Sequence, residues 1–556
     1  MTLLLPDWEA LTLAEQVAQM VMVRASGHLF DHQIEYPDWE PPASVLQHWL
    51  HDLGVGGVIL LGGAAAEVAL RTQQLQEWAK VPLLIAADVE EGVGQRFAGA
   101  TWLPPPMAVG AIASSNLEQA IYYAEQMGAA TAAEAIAIGI NWVLAPVVDV
   151  NNNPENPVIN IRAWGETAAT VSQLTTAFIR GVQRYSVLTT AKHFPGHGDT
   201  DIDSHLDLPV ISHDQTRLEA IELVPFRAAL KAGVDAVMTA HLQIPALDLN
   251  LPATLSASIL TQLLRRELGF TGLTVTDALV MGAITQRYGA NEAAVLAVEA
   301  GVDILLMPAD PEGAIQAVCG AVETGRITAA QIHASLERIW QAKQKVCPAP
   351  VGDTTHAWEQ PLPPLPQINQ LAQPATIALS HAILKASLQC HQPGSRLPET
   401  QSETARNLIL VDDALNCTFL NRQAPAVTFP SALGYQLQVI DRYTPRVNWE
   451  AMKHLPTLLQ VFVRGNPFRS STSLMQHAQQ ILEFLRSTQQ LQALMVYGSP
   501  YAMTELRTCL PLDLPCIFTY GQLPAAQTVA LEAWLMGTQA GSRETSSPVA
   551  LQEFTD

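Results

Sequence analysis

Through about residue 345, short apolar runs without polar alternation recur between longer stretches with helical spacing. The runs are Met20 to Arg24, Val55 to Leu61, Pro82 to Asp88, Asn141 to Val150, Val187 to His193, Ala236 to His241, Gly272 to Asp277 and Asp303 to Met307. Continuous apolar runs of this length predict parallel strands covered on both faces. Between them, Leu117 to Ala137 and Gln215 to Ala232 carry helical patterns, and Thr328-Ala-Ala-Gln331 is a capping box opening a helix with Ile332, Leu336 and Ile339 on one face. Eight strands with crossovers in about 345 residues suit a (β/α)₈ barrel, with a doubly wound open sheet as the alternative. Polar residues close several of the runs: Asp88, Asp149, Lys192 with His193, His241 and Asp277. Strand ends converge on one mouth only in a barrel, so this distribution favours the barrel over the open sheet.

From Cys347 to Pro366 the chain becomes proline-rich, which predicts a stiff connector. Beyond it, Leu408 to Asp412, Leu437 to Asp441, Leu458 to Arg464 and Leu494 to Gly498 read as strands, with a helical pattern over Ser473 to Ser487. The expected division is a barrel over 1–345, a linker over 346–369, a smaller three-layer α/β sandwich over 370–545 and a tail over 546–556.

Composition narrows the partners. The chain has 556 residues, 48% apolar and 15% charged, too apolar for disorder. Its 30 basic against 52 acidic residues give a formal charge of −22. A phosphate-binding surface needs the opposite surplus, which argues against nucleic acid or an anionic membrane as partner. The six cysteines contain no C-x-x-C pair, and neither a signal peptide nor a membrane span is read. A cytoplasmic protein, monomeric or a homodimer, is expected.

The densest chemistry lies in Lys192 to Pro209, where three histidines and four aspartates share eighteen residues. Pro195 and Gly196 preclude the helix that would turn His193 and His197 into a zincin-type pair, and no metal or cofactor is expected. In Asp203-Ser204-His205 the carboxylate and imidazole lie two apart, on one side of an extended chain. Asp203 can then fix the tautomer of His205 and raise its basicity, giving a general acid/base near neutral pH. Asp277 ends a buried run, as a nucleophile or, alternatively, a helix N-cap. Lys192, His193, Arg96 and Arg162 at neighbouring strand ends predict a cationic mouth that keeps Asp277 ionised. Neither a G-x-S-x-G elbow nor a phosphate-binding glycine loop occurs.

Lys192-His-Phe-Pro-Gly-His-Gly-Asp-Thr200 with Asp203-Ser-His205 closely resembles the signature of glycoside hydrolase family 3, in its β-N-acetylglucosaminidase branch. Asp149 through Arg162, Phe270 to Asp277 and Asp303 to Pro308 resemble further segments of that family, in the expected order over roughly residues 10 to 345. The resemblance implies a retaining exo-β-N-acetylhexosaminidase acting on a small carbohydrate. Asp277 would be the nucleophile and His205 the acid/base, oriented by Asp203. Asp88, Arg96, Arg162, Lys192 and His193 would bind the terminal sugar. A β-glucosidase or phosphorylase of the same fold, or a non-catalytic sugar-binding protein, are the rival readings. One stretch departs from the family's Asp-x-Glu-Gly-Gly-Arg-Val-x-Arg: here it stands as Asp88-Val-Glu-Glu-Gly-Val-Gly-Gln-Arg96, with Glu91 for a glycine and Val93 for an arginine.

Overall fold

The computed structural model describes residues 5–200, 208–347, 366–391, 405–444, 449–464, 472–508, 510 and 514–542. The chain divides into two compact units, Met1–Ser380 and His381–Asp556.

In the first unit eight strands follow one another in chain order: β1 (Val21–Ala25), β2 (Gly57–Leu60), β3 (Leu84–Ala87), β4 (Trp142–Val143), β5 (Leu188–Phe194), β6 (Ala236–Thr239), β7 (Leu273–Val275) and β8 (Leu305–Leu306). All neighbours are parallel, and β8 pairs with β1. A parallel bridge between Val275 and Ile304, with Asp303 N donating to Thr274 O at 2.8 Å, joins β7 to β8. The ring therefore closes, and the open sheet is excluded. Every strand residue of the barrel is buried, as the unalternating apolar runs require.

Two elements differ from their sequence pattern. The run Asn141 to Val150 enters the ladder only over β4, because Pro146 has no N–H to donate. The remainder still follows β5, with Val148 N on Lys192 O at 2.8 Å. The helix expected over Gln215 to Ala232 breaks into Gln215–Ala220 and Leu223–Lys231. Pro225 cannot donate to the carbonyl of Ile221, so a new helix begins there and leaves Glu222 in the turn. By contrast, the Thr328 capping box forms as read.

The second unit holds a six-stranded sheet of β9 (Gln389–His391), β10 (Ala405–Leu410), β11 (Tyr435–Ile440), β12 (Thr457–Val463), β13 (Leu491–Gly498) and β14 (Cys516–Thr519). Its spatial order is β9-β14-β13-β12-β10-β11, parallel except at the β9 edge. Helices Pro425–Ala432 and Pro524–Ser542 pack together on one face, where Ala426, Leu531 and Trp534 meet Ile409, Phe462 and Met495. Helices Thr472–Ser487 and Pro500–Arg507 form a second pair, giving the three layers expected. Among the described residues no helix is long and apolar enough to cross a membrane.

Candidate active site

The C-terminal ends of β3, β4 and β5 deliver a compact set of charges. Lys192, on β5, is 1% exposed, and its ammonium reaches Asp88 Oδ1 at 2.7 Å and Glu90 Oε1 at 2.6 Å. Glu90 is gripped a second time by Arg162, whose Nε and Nη2 donate to its two oxygens at 2.8 Å each. Taking such charges out of water is tolerable only when each finds a partner of opposite sign. Burial alone would raise the Glu90 carboxyl, but Arg162 and Lys192 outweigh it and hold it well below the usual carboxylate range. Burial likewise opposes the charge on Lys192, and Asp88 and Glu90 reverse that, raising it above its ordinary value. Two basic side chains, Lys192 and Arg162, thus face two acidic ones, Asp88 and Glu90, and the formal charges of the set balance.

This corrects the cationic mouth expected from the sequence. Lys192 and Arg162 are matched by Asp88 and Glu90, and Arg96 stands on the exposed side of the loop, its Nε donating to Asp88 O at 3.2 Å.

Asp149 organises the neighbouring histidines. Its buried carboxylate accepts from His193 N at 3.2 Å, His193 Nδ1 at 2.8 Å and His197 N at 2.7 Å. A carboxylate only accepts, so His193 carries a proton on Nδ1, and Asp149 leaves its Nε2 unengaged. The His197 ring lies edge-on to His193 at 6.0 Å, with Nδ1 2.9 Å from Thr200 Oγ1. Burial first, and then the neighbouring His193, push His197 down to about 4, so it is neutral near pH 7. The loop hangs on Asn156, whose Nδ2 donates to His197 O at 2.8 Å and Gly198 O at 3.0 Å. A Cβ at Gly198 would lie 1.8 Å from Val150 O, so only glycine permits that approach.

Asp277 follows β7, half-buried, with Oδ1 accepting from Ala278 N at 2.8 Å. Its charge is felt by His197, which places the β5 and β7 ends within electrostatic reach of each other. The N-cap alternative fails, since the next helix begins at Gly282 with Met281 as its cap. His241 ties β6 to β7, its Nε2 donating to Ala278 O at 3.1 Å. Asp203 and His205 lie outside the described residues.

Two carboxylates carry more of this geometry than the sequence reading allots them, Glu90 and Asp149. The signal for Glu90 is its spacing: two residues beyond Asp88, it can share a face with it in extended chain. The departure at Glu91 also has an account. Its side chain is fully buried and accepts from Trp102 Nε1 at 2.9 Å, while its carbonyl accepts from Leu103 N at 2.7 Å, closing the 91–103 loop on itself.

Comparison with known proteins places this arrangement. Residues 12–342 match the family model described as the glycosyl hydrolase family 3 N terminal domain, and residues 399–536 that of the bacterial glycosyl hydrolase family 3 C-terminal domain. Over 301 residues the chain is 39% identical to beta-hexosaminidase A of Pseudoalteromonas piscicida, covering 50% of this chain and 50% of that protein. The match thus spans about half the length of that relative. Over 416 residues it is 31% identical to a beta-N-acetylglucosaminidase/beta-glucosidase of Cellulomonas fimi, covering 72% of this chain and 71% of the relative. The solved structure of a glycoside hydrolase family 3 beta-N-acetylglucosaminidase from Paenibacillus sp. str. FPU-7 superposes with a TM-score of 0.76 at 31% identity, covering 95% of this chain and 97% of that one.

Proposed function

Because the chain belongs to glycosyl hydrolase family 3, we propose that it is a retaining exo-β-N-acetylhexosaminidase, releasing terminal N-acetylglucosamine from cell-wall or chitin fragments in the cytosol. The observation that carries this reading is the neutralised polar floor of the mouth. Lys192, Arg162, Asp88 and Glu90 offer many directed donors and acceptors with no net charge, which suits a neutral polyol. Unmatched cations there would instead have favoured a phosphate or carboxylate ligand. Asp88, Arg162, Lys192 and His193, with Arg96 from the loop, form the terminal sugar subsite.

Asp277 attacks C1 from below while His205 gives its proton to the departing glycosidic oxygen. The C1–O bond breaks and a glycosyl ester of Asp277 forms. Water then attacks C1, the now neutral His205 takes the water's proton, and the sugar leaves with its original anomeric configuration. A retaining pair of carboxyls stands about 5–5.5 Å apart. Here an imidazole replaces the second carboxyl, so the acid/base is cationic as acid and neutral as base, and Asp203 is its carboxylate partner in this reading.

The test compares nitrophenyl β-N-acetylglucosaminide with nitrophenyl β-glucoside. The account predicts a clear preference for the former, and preference for the glucoside would refute the substrate assignment. The same assay in inorganic phosphate separates hydrolysis from phosphorolysis: free N-acetylglucosamine is the expected product, and a sugar 1-phosphate would overturn hydrolysis.

A further inference from the structure

Beyond β1, residues 26–42 leave the mouth end of the barrel as a long loop. Five aromatic side chains are exposed among the described residues of the first unit, and three of them, Phe30, Tyr36 and Trp39, lie in this loop. The loop is nonetheless firmly held. Its start is tied to the helix Ala65–Trp78, where Glu67 accepts from Leu29 N at 2.9 Å and its other oxygen stands 3.0 Å from His28 Nδ1. At its far end Asp31 Oδ1 accepts from Ala43 N at 2.8 Å. Against the rings lies a buried ion pair, Arg24 Nε and Nη2 donating to Glu40 Oε1 at 3.0 and 2.8 Å. The Arg24 guanidinium carbon is 4.8 Å from the Tyr36 ring centre and 5.4 Å from that of Trp39. The two rings are within 15° of parallel, with centres 6.3 Å apart. A cation thus holds both rings from one side, while Tyr36 stays 50% and Trp39 48% exposed. Anchored aromatics left open in this way mark a binding surface.

That surface is continuous with the sugar floor. A Cβ on Gly27 would lie 2.0 Å from Gly62 O, so the loops after β1 and β2 touch backbone to backbone. Gly63–Ala64 in turn pairs in parallel with Phe97–Ala98. Phe97 follows Arg96, whose Nε donates to Asp88 O. Around the ring, β8, β1 and β2 fill the arc between β7, which ends just before Asp277, and β3, which ends just before Asp88. Tyr36 and Trp39 therefore belong to the stretch of rim between the nucleophile and the sugar-binding carboxylate.

The chemistry of the platform selects its occupant. Arg24 is matched by Glu40, so no net charge calls for an ion. A pyranose is polar around its edge and apolar on its C–H faces. It lies flat on an aromatic ring, while the phenol O–H and indole N–H at the ring edges meet its hydroxyls. We propose that Tyr36 and Trp39 seat the leaving sugar, the ring on the far side of the scissile bond, so that the aglycone taken by this enzyme is itself a pyranose. The inference rests on the reading of the chain as an exo-β-N-acetylhexosaminidase whose terminal sugar occupies the floor of Asp88, Arg162 and Lys192.

The experiment measures kcat and KM for the parent, Trp39→Ala, Tyr36→Ala and Trp39→Phe on N,N′-diacetylchitobiose and on methyl β-N-acetylglucosaminide, whose methyl group is too small to cover a ring. Trp39→Ala should raise KM about 10-fold on the disaccharide and under about 2-fold on the methyl glycoside, with kcat nearly unchanged on both. Tyr36→Ala should show the same selectivity at about 5-fold. Trp39→Phe, which keeps an aromatic face, should recover most of the loss. Thermal melts check folding, and Tyr36→Ala carries the comparison should Trp39→Ala fail to fold. Equal KM changes on the two substrates, or none on the disaccharide, would overturn the platform while leaving the hydrolase reading in place. A parent that released N-acetylglucosamine from neither substrate would refute that reading, and this inference with it.

Discussion

Asp303 precedes β8 at the closed end of the barrel, and Asp88 follows β3 at its mouth, two carboxylates of one fold set to different tasks. Asp303 is fully buried and saturated. Its oxygens accept from Thr274 N at 2.8 Å, Ser335 Oγ at 2.8 Å, Arg338 Nε and Nη2 at 3.0 and 2.7 Å, and from Arg265 Nη2. An ionised carboxylate offers about four lone-pair sites, so nothing remains for a ligand. Asp88 accepts from Lys192 at Oδ1 and its side chain is 26% exposed. Both residues are held by cations from other elements, but only Asp88 keeps part of its side chain exposed. Saturation identifies a carboxylate that holds the fold, and a partnered yet open one identifies a carboxylate that can bind.

Substitution at each end should separate these roles. The largest effect is expected from Asp277→Asn, which should lose about 10³-fold or more in turnover while still binding sugar and melting near the parent temperature. Unchanged turnover would remove Asp277 from the mechanism. At the closed end, Asp303→Asn should leave the partly exposed Arg265 and Arg338 without the buried carboxylate that pairs them, costing about 3 kcal/mol of stability. Its folded fraction should keep the parental kcat, and a variant that melts normally would contradict the account of Asp303. Asp88→Asn should weigh mainly on binding, with KM raised about 10–100-fold and a smaller loss of melting temperature than Asp303→Asn, since Lys192 keeps Glu90 as a partner.

A fourth, smaller effect belongs to Lys343, also at the closed end. Its buried ammonium donates to Gln19 Oε1 and Pro82 O at 2.7 Å each, without a carboxylate, and burial pushes it down to about 7. The unfolded chain keeps this proton up to about 10.5, so between those values the unfolded state binds more protons and stability must rise with pH. The contribution is at most about 1.4 kcal/mol per pH unit. Melts between pH 7.5 and 8.5 should show this rise, and Lys343→Met should flatten it. An identical slope in the variant would exclude Lys343 as its source.

The parts of this molecule that were legible in the sequence are those set by local pattern. Parallel strands buried on both faces leave unbroken apolar runs, so all eight barrel strands could be placed, and the Thr328 capping box needs only four residues to define it. In the second unit β9 and β14 escaped notice. Gln389-Cys-His391 is a polar edge strand with no apolar face to announce it, and Cys516–Thr519 is only four residues long. At the mouth, strand ends told which residues would gather, since barrel geometry brings Asp88, Arg162, Lys192 and His193 together. How they pair depends on contacts between residues distant in sequence. Glu90 meets Arg162 across 72 residues and Asp149 meets His193 across 44, and neither partner carries a local mark of the other. The charge balance of the mouth was unreadable for the same reason: the cations stood out in the sequence and their buried partners did not.

The most direct test of the central claim is to trap the covalent intermediate with an activated fluoro-sugar analogue of N-acetylglucosamine and find the labelled residue by peptide mass spectrometry. The account predicts one glycosyl adduct on Asp277, lost in Asp277→Asn. A stoichiometric adduct on any other residue would contradict it.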